Sequence, residues 1–152
     1  MRAGLRHSTE RGLVNRSKER LLSLGLLVLR LGVGGMLLYG HGWAKLTAFA
    51  ERAPKFADPI GLGPVVSFTL VVFAEAFCST AVALGLGTRL AAVPIVIFSI
   101  VAAFVQHGSG TFDDKELALI YGVPMLALVF TGGGSYSLDA AIGKARRGRR
   151  AT

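Results

Sequence analysis

The chain has 152 residues, of which 52% are hydrophobic and 17% are charged, and it carries 17 basic against nine acidic residues. Soluble domains typically contain about 25% charged residues, and a chain of this length cannot enclose so much apolar surface in a water-soluble interior. The composition excludes a disordered chain, a nucleic-acid-binding domain of ordinary polarity and, since Cys78 is the single cysteine, a disulfide scaffold; it favours a membrane protein.

Four apolar stretches follow one another, and a helix needs about 20 such residues to cross a bilayer. The third stretch reaches that length only with its flanking residues. The stretches are continuous rather than alternating, which indicates helices and not the strands of a membrane barrel. The sequence therefore predicts an all-α fold, a transmembrane four-helix bundle within residues 21–142. The four predicted spans are 21–45, 63–87, 90–106 and 116–132.

The basic residues are concentrated in two predicted tails, 1–20 and 143–152. An even number of spans places both tails on one side, and the positive-inside rule makes that side the cytoplasm. The connecting segments 47–62 and 107–115 are neutral or mildly acidic, so they are predicted to face outward. We expect a multi-pass inner (plasma) membrane protein with both termini cytoplasmic, whose basic ends contact anionic lipid and not nucleic acid.

Two charged residues interrupt the first two spans, Arg30 and Glu75. A charge at the bilayer centre costs at least about 2.5–3.5 kcal/mol, so such residues normally face the bundle interior and find a partner. Counted at about 1.5 Å per residue from the cytoplasmic ends, Arg30 lies about 14 Å deep and Glu75 about 17 Å deep. We expect an intramembrane ion pair, which either fixes the helix register or provides a carboxylate that exchanges a proton.

A second polar group is predicted at the outward ends of the spans. It comprises His41 and Lys45, which share a helix face because they are four residues apart, together with His107, Glu116 and Tyr121. These side chains could hydrogen-bond a quinone carbonyl and relay protons, ligate haem or a divalent metal, or only seal the helix ends. Two histidines without metal-ligand spacing favour no metal site, and haem is a weaker prediction than quinone.

The order of motifs along the chain resembles the DoxX family of small four-span membrane proteins, over about Leu26 to Ile142. The resemblance implies a four-helix membrane bundle; some members are subunits of quinone-linked oxidoreductases of sulfur metabolism, and others are associated with oxidative-stress complexes. It also implies a polar set of Arg30, His41, Lys45, Glu75, His107 and Glu116. The motifs are Leu29-Arg30-Leu31, Tyr39-Gly40-His41-Gly42 with Lys45-Leu46, Glu75, Leu84-Gly85-Leu86-Gly87-Thr88-Arg89, His107, Glu116 through Tyr121, Gly132-Gly133-Gly134 and Tyr136-Ser137-Leu138-Asp139.

Three functions remain open on the sequence alone. The first is a redox-linked membrane subunit, part of a quinone-linked oxidoreductase, that binds a quinone near His41, His107 and Glu116. Its electrons would come from a soluble redox or stress-response partner protein, because the chain has no flavin, haem or thiol motif. The alternative is a non-enzymatic membrane scaffold for a partner protein complex. A transporter or channel is the third, and it would require an oligomer because four spans are few. No catalytic residue is predicted.

Overall fold

The computed structural model describes the backbone of residues 2–150 and the side chains of residues 15–149, and within these limits it contains helices and no strand. Helix α1 comprises Arg2–Leu29, Gly35–Leu37 and Trp43–Thr47, which are joined without a break by the π-helical segments Arg30–Gly34 and Leu38–Gly42. The other long helices are α2 (Pro64–Leu84, π-helical over Phe73–Cys78), α3 (Thr88–Gln106, π-helical over Val101–Gln106), α4 (Phe112–Thr131) and α5 (Leu138–Arg150).

The predicted all-α membrane bundle is confirmed. Within the part of the chain that the structure describes, three helices are long and apolar enough to span a membrane: Asn15–Thr47 of α1, α2 and α3. Helix α4 has 20 residues, but charged side chains occupy its positions 113–116, so the apolar part is 117–131, about 22 Å long at 1.5 Å per residue. It begins earlier than the predicted fourth span because Thr111 and Asp114 form a capping box at its first turn.

The core lies between helices α1, α2, α3 and α4. Each contributes fully buried apolar side chains: Leu37 from α1, Val82 from α2, Ile95 from α3, and Met125 and Leu128 from α4. Large apolar side chains on the outer faces of the same helices are exposed. A helix set that is apolar both inside and outside matches a bilayer as the surrounding solvent.

Two glycines set the register between α1 and α2. A Cβ at Gly34 would lie 2.9 Å from the carbonyl oxygen of Ser79, and a Cβ at Gly42 would lie 2.6 Å from the carbonyl carbon of Glu75. Both distances are shorter than any real Cβ contact, so the two backbones approach this closely only because these positions lack side chains. The close approach therefore places Gly42 beside Glu75 and Gly34 beside Ser79.

The connection between α1 and α2 packs back onto the bundle. It contains a short helix, Phe49–Arg52, and a 3-10 turn, Ala53–Lys55, and the rings of Phe49 and Phe56 lie 5.4 and 5.0 Å from that of Phe68 on α2. Further along, the Asp58 carboxylate accepts hydrogen bonds from Leu62 N, Gly63 N and Ser67 Oγ at the start of α2. These contacts hold the connection against the N-terminal half of α2.

At the opposite end of the bundle, α2 turns into α3 through Gly85, whose φ of 74° lies in the left-handed region. Leu86 N donates to Ala81 O and Gly85 N to Val82 O, which is a Schellman motif. The Asp139 carboxylate accepts from Gly87 N at 2.7 Å, Thr88 N at 3.0 Å and Thr88 Oγ1 at 3.2 Å, so a negative charge lies at the N-terminus of α3.

This contact predicts a pH-dependent stability. Burial alone would raise the pKa of Asp139, but the hydrogen bonds from Thr88 and Gly87 and the Arg30 charge outweigh it and hold that pKa below its ordinary value. A depressed folded-state pKa contributes stability above the unfolded pKa of about 3.9, and that stability is lost as the pH falls through the folded value. Asp139→Asn should therefore unfold at a lower temperature than the wild type at neutral pH.

The measurement is thermal unfolding in mild detergent at a series of pH values. The gap between wild type and Asp139→Asn should close as the buffer is made more acidic than about pH 4. Asp113→Asn, which removes an exposed carboxylate from the first turn of α4, controls for the loss of a surface charge. A gap of equal size at every pH would mean that Asp139 stabilises the turn by packing and not by its charge.

Candidate functional site

A buried ion pair joins α1 to the middle of α2. Lys45 Nζ lies 2.7 Å from Glu75 Oε1 and 2.5 Å from Glu75 Oε2. The Glu75 side chain is 2% exposed and that of Lys45 is 20% exposed. The lysine therefore neutralises a buried carboxylate, while its own side chain remains partly exposed.

The local backbone explains how this pair forms. Glu75 lies in the π-helical segment Phe73–Cys78, and Gly42, three residues before Lys45, ends the π-helical segment Leu38–Gly42 on the facing helix. The two segments meet where the Gly42 backbone touches that of Glu75. Single π turns within α-helices occur frequently at functional sites, because the extra residue redirects the side chains around it.

Beside the ion pair lies an apolar cavity of about 500 Å³ between α2, α3 and the folded-back connection. Lys45 and His107 line it, and they are the two residues of the predicted outward group that the structure brings to one cavity. The Lys45 ammonium also lies 5.8 Å from the ring centre of Phe98, another lining residue. The remaining walls are mainly apolar and include Phe56, Ile60, Leu70, Val71, Phe73, Pro94, Ile97, Val101 and Ala102.

The side chains at the margin of this cavity indicate how it is reached. Leu70 and Phe73 on α2 and Ile97 on α3 line the cavity and are also exposed on the outer surface of the bundle. The cavity therefore borders the outer surface of the bundle between α2 and α3, two helices that are apolar enough to span a membrane.

The other predicted site residues lie elsewhere. His41 contacts Tyr121 on α4, with ring centres 5.6 Å apart and planes at 80°, and neither residue lines the cavity. Glu116 is exposed in the first part of α4. The predicted group of five is thus divided between the cavity (Lys45 and His107), the α1–α4 contact, and the surface.

The predicted Arg30–Glu75 ion pair is wrong. The Arg30 guanidinium is fully buried and donates to Ala83 O at 3.0 Å, to Val82 O at 3.4 Å and to Tyr136 O at 3.0 Å. The depth count failed because the ends of the apolar stretches are not level. The close contacts of α1 with α2 place Arg30 beside the C-terminal carbonyls of α2, where a cation also complements the helix dipole.

Sequence reasoning missed the pairing of Lys45 with Glu75. Gly34 and Gly42 are eight residues apart, which places them on one face of a helix, and such small residues favour close contact between membrane helices. Lys45 lies one turn beyond Gly42. This pattern could have indicated which end of α1 lies level with Glu75.

The cavity can bind a small amphipathic molecule, and Lys45 and His107 on its wall are groups that can donate a hydrogen bond or a proton to it. The cavity volume falls in the range of about 300–1,000 Å³ that is typical of ligand pockets, and its few polar groups suit recognition of one polar end of an apolar ligand. Among residues 15–149, no group of three or more His, Cys, Asp or Glu side chains is placed to hold a metal ion.

Comparison with known proteins identifies one family. The DoxX family model matches residues 25–108, a stretch that contains Arg30, His41, Lys45, Glu75 and His107. Neither the curated proteins nor the solved structures give a match to this chain.

Proposed function

Because the chain belongs to the DoxX family of membrane proteins, we propose that it is a redox-linked membrane subunit that binds a quinone in the cavity beside Lys45. The observation that carries the proposal is an apolar cavity of about 500 Å³ that is lined by Lys45 and His107 and bordered by exposed apolar side chains of α2 and α3. A quinone dissolves in the bilayer, so its route to such a cavity runs through the lipid.

The lining residues suit the two parts of a quinone. Apolar side chains from α2 and α3 would pack against the ring and the start of its tail, and Phe98 offers an aromatic face. An ammonium group has three donors, and both Glu75 oxygens lie within hydrogen-bond distance of Lys45 Nζ. A remaining N–H is available to a carbonyl oxygen, and His107 provides a second polar group on the cavity wall.

The ion pair also suits the proton chemistry of a quinone, whose reduction to the quinol consumes two electrons and two protons. Lys45 would donate a proton at the cavity wall, and its contact with the Glu75 carboxylate would hold the ammonium group in position there. His107 is exposed as well as lining the cavity, so it would exchange protons with the outward aqueous side.

The electrons would come from a partner protein. Cys78 is the single cysteine of the chain and is buried, so a thiol pair within the chain cannot supply them. We therefore assign the chain the part of a quinone-binding subunit within a larger oxidoreductase, and we place both termini on the cytoplasmic side of the inner membrane.

Filling the cavity tests the binding site. Ala102→Phe introduces a ring into the cavity wall, so the dissociation constant for decylubiquinone should rise at least about tenfold, the equivalent of about 1.4 kcal/mol. Equilibrium titration of the purified protein in lipid nanodiscs measures it. Ala57→Phe narrows the same cavity from the connection and should have the same effect.

The matched control is Ala127→Phe, which adds the same ring to an exposed position on α4 and should leave the affinity unchanged. Thermal unfolding of each variant shows whether it is folded. If folded Ala102→Phe and Ala57→Phe both bind decylubiquinone as the wild type does, the quinone site is not this cavity. If the wild type itself does not bind decylubiquinone, the result favours the scaffold function over the quinone-binding function.

A further inference from the structure

Over residues 138–147, helix α5 separates apolar from basic residues. Leu138, Ile142 and Ala145 share one face because they are spaced four and three residues apart. Both Leu138 and Ile142 are 42% exposed, so the rest of the described chain leaves this apolar face largely uncovered. The neighbouring positions are basic and exposed: Lys144, Arg146 and Arg147.

The start of α5 is fixed at the boundary between the polar and apolar parts of α1. Ser23 Oγ on α1 donates to Ser135 Oγ at 3.0 Å, three residues before α5 begins. On α1, Arg20 is exposed and is followed directly by the exposed leucines 21 and 22. In a bilayer this change from arginine to leucine marks the level where headgroups give way to acyl chains, so α5 starts at that level.

The contacts that fix α5 to the bundle lie at its first turn. Asp139 binds the backbone of Gly87 and Thr88, and its own N–H donates to Gly85 O at 2.9 Å. Beyond this turn, residues 144–149 are exposed. The helix is therefore tied at one end to the bundle and is otherwise open to its surroundings.

A second basic feature lies at the same end. A groove of about 130 Å³ is bounded by Arg16 and Arg20 on α1 and by Ser135 and Tyr136 just before α5, and Glu19 also lines it. Arginine and hydroxyl groups together suit a phosphate. Tyr136 lies two residues before α5, so the groove adjoins the start of this helix at the headgroup level defined above.

We propose that α5 lies along the membrane surface and binds anionic phospholipid headgroups of the leaflet at which both termini emerge. Leu138 and Ile142 enter the acyl-chain boundary, while Lys144, Arg146 and Arg147 bind headgroup phosphates. A short basic amphipathic helix binds in this way through apolar burial combined with attraction to anionic lipid. The basic side chains of α5 determine which class of lipid binds, and the contacts at its first turn determine how deeply the helix lies in the membrane.

The test uses an indole placed on the apolar face. In a Trp43→Phe background, Ile142→Trp makes the introduced indole the single tryptophan of the chain. In nanodiscs of phosphatidylcholine and phosphatidylglycerol with brominated acyl chains, its emission should be blue-shifted and at least half quenched. Replacing Lys144, Arg146 and Arg147 with glutamine should reverse most of the quenching, as should high salt, which screens the attraction.

The matched control replaces basic residues of the outward connection, Arg52→Gln with Lys55→Gln, and should leave the quenching unchanged. An indole that emits as in water and is not quenched would overturn the proposal. Native mass spectrometry of the unsubstituted chain gives a second measurement: phosphatidylglycerol should remain bound in preference to phosphatidylcholine, and equal retention of both would contradict the proposal. Decylubiquinone binding should be the same in the triple glutamine variant, so failure here is distinguishable from failure of the quinone site.

Discussion

Gly42→Ala should destabilise the protein by at least about 3 kcal/mol, more than typical overpacking of a core. The added Cβ would collide with the carbonyl of Glu75 and lie 2.8 Å from Ala76 N. These are backbone atoms and cannot turn aside as a side chain would, so α1 and α2 must separate. Separation also pulls Lys45 away from Glu75. The measurement is thermal unfolding in mild detergent, where the midpoint should fall by roughly 6–12 °C.

Gly40→Ala is the control for this substitution. Gly40 lies in the same π-helical segment, but a Cβ there would meet nothing within 4 Å. Alanine at an open helical position is worth about 0.5–1 kcal/mol relative to glycine, so this variant should be as stable as the wild type or slightly more so. Equal midpoints for Gly42→Ala and Gly40→Ala would show that α1 and α2 do not touch at Gly42.

Lys45→Met should have the second large effect, because it leaves the Glu75 carboxylate buried without a partner. Removing one member of a buried ion pair costs about 3–5 kcal/mol, whereas removing both charges is often neutral. Methionine keeps most of the length of the lysine stem, so the loss reports the charge more than the packing. The unfolding midpoint in detergent should fall clearly below that of the wild type.

The double variant with Lys45→Met and Glu75→Gln separates charge from packing. It should recover most of the lost stability, since no unpaired charge remains, and the double-mutant cycle should give a coupling of at least about 1 kcal/mol. Lys115→Met removes a half-buried lysine at the bundle surface that donates to Gly108 O and should change stability by no more than about 0.5 kcal/mol. Additive effects of the two substitutions would contradict the Lys45–Glu75 pair.

The membrane helices could be predicted because each apolar stretch determines its own secondary structure, independently of the rest of the chain. A run of about 20 apolar residues is stable in lipid only as a helix, since all its backbone groups must be satisfied within the segment. Helices α2 and α3 accordingly lie close to the predicted spans. Helix α4 begins earlier because the Thr111–Asp114 capping box extends it past its apolar part.

The partners of the buried charges could not be predicted, because they depend on the register between helices. The sequence correctly identifies Arg30 and Glu75 as buried charges, but counting residues from the end of each apolar stretch does not give their relative depth. The contacts of Gly34 and Gly42 with α2 determine which residues of the two helices lie side by side. The turn containing Gly85 and the segment containing Asp139 were likewise visible as separate motifs, and only the fold brings them into one hydrogen-bonded group.

The placement of Arg30 also bears on how the protein is made. Its guanidinium donates to carbonyls of α2 and to Tyr136 O, which is 106 residues further along the chain. At a synthesis rate of about 5–20 residues per second, that acceptor leaves the ribosome roughly 5–20 s after the arginine does. During this time α1 lies in the translocation machinery or the bilayer while the Arg30 guanidinium lacks its hydrogen bond to Tyr136 O. The bundle is completed only when the segment between α4 and α5 has been translated.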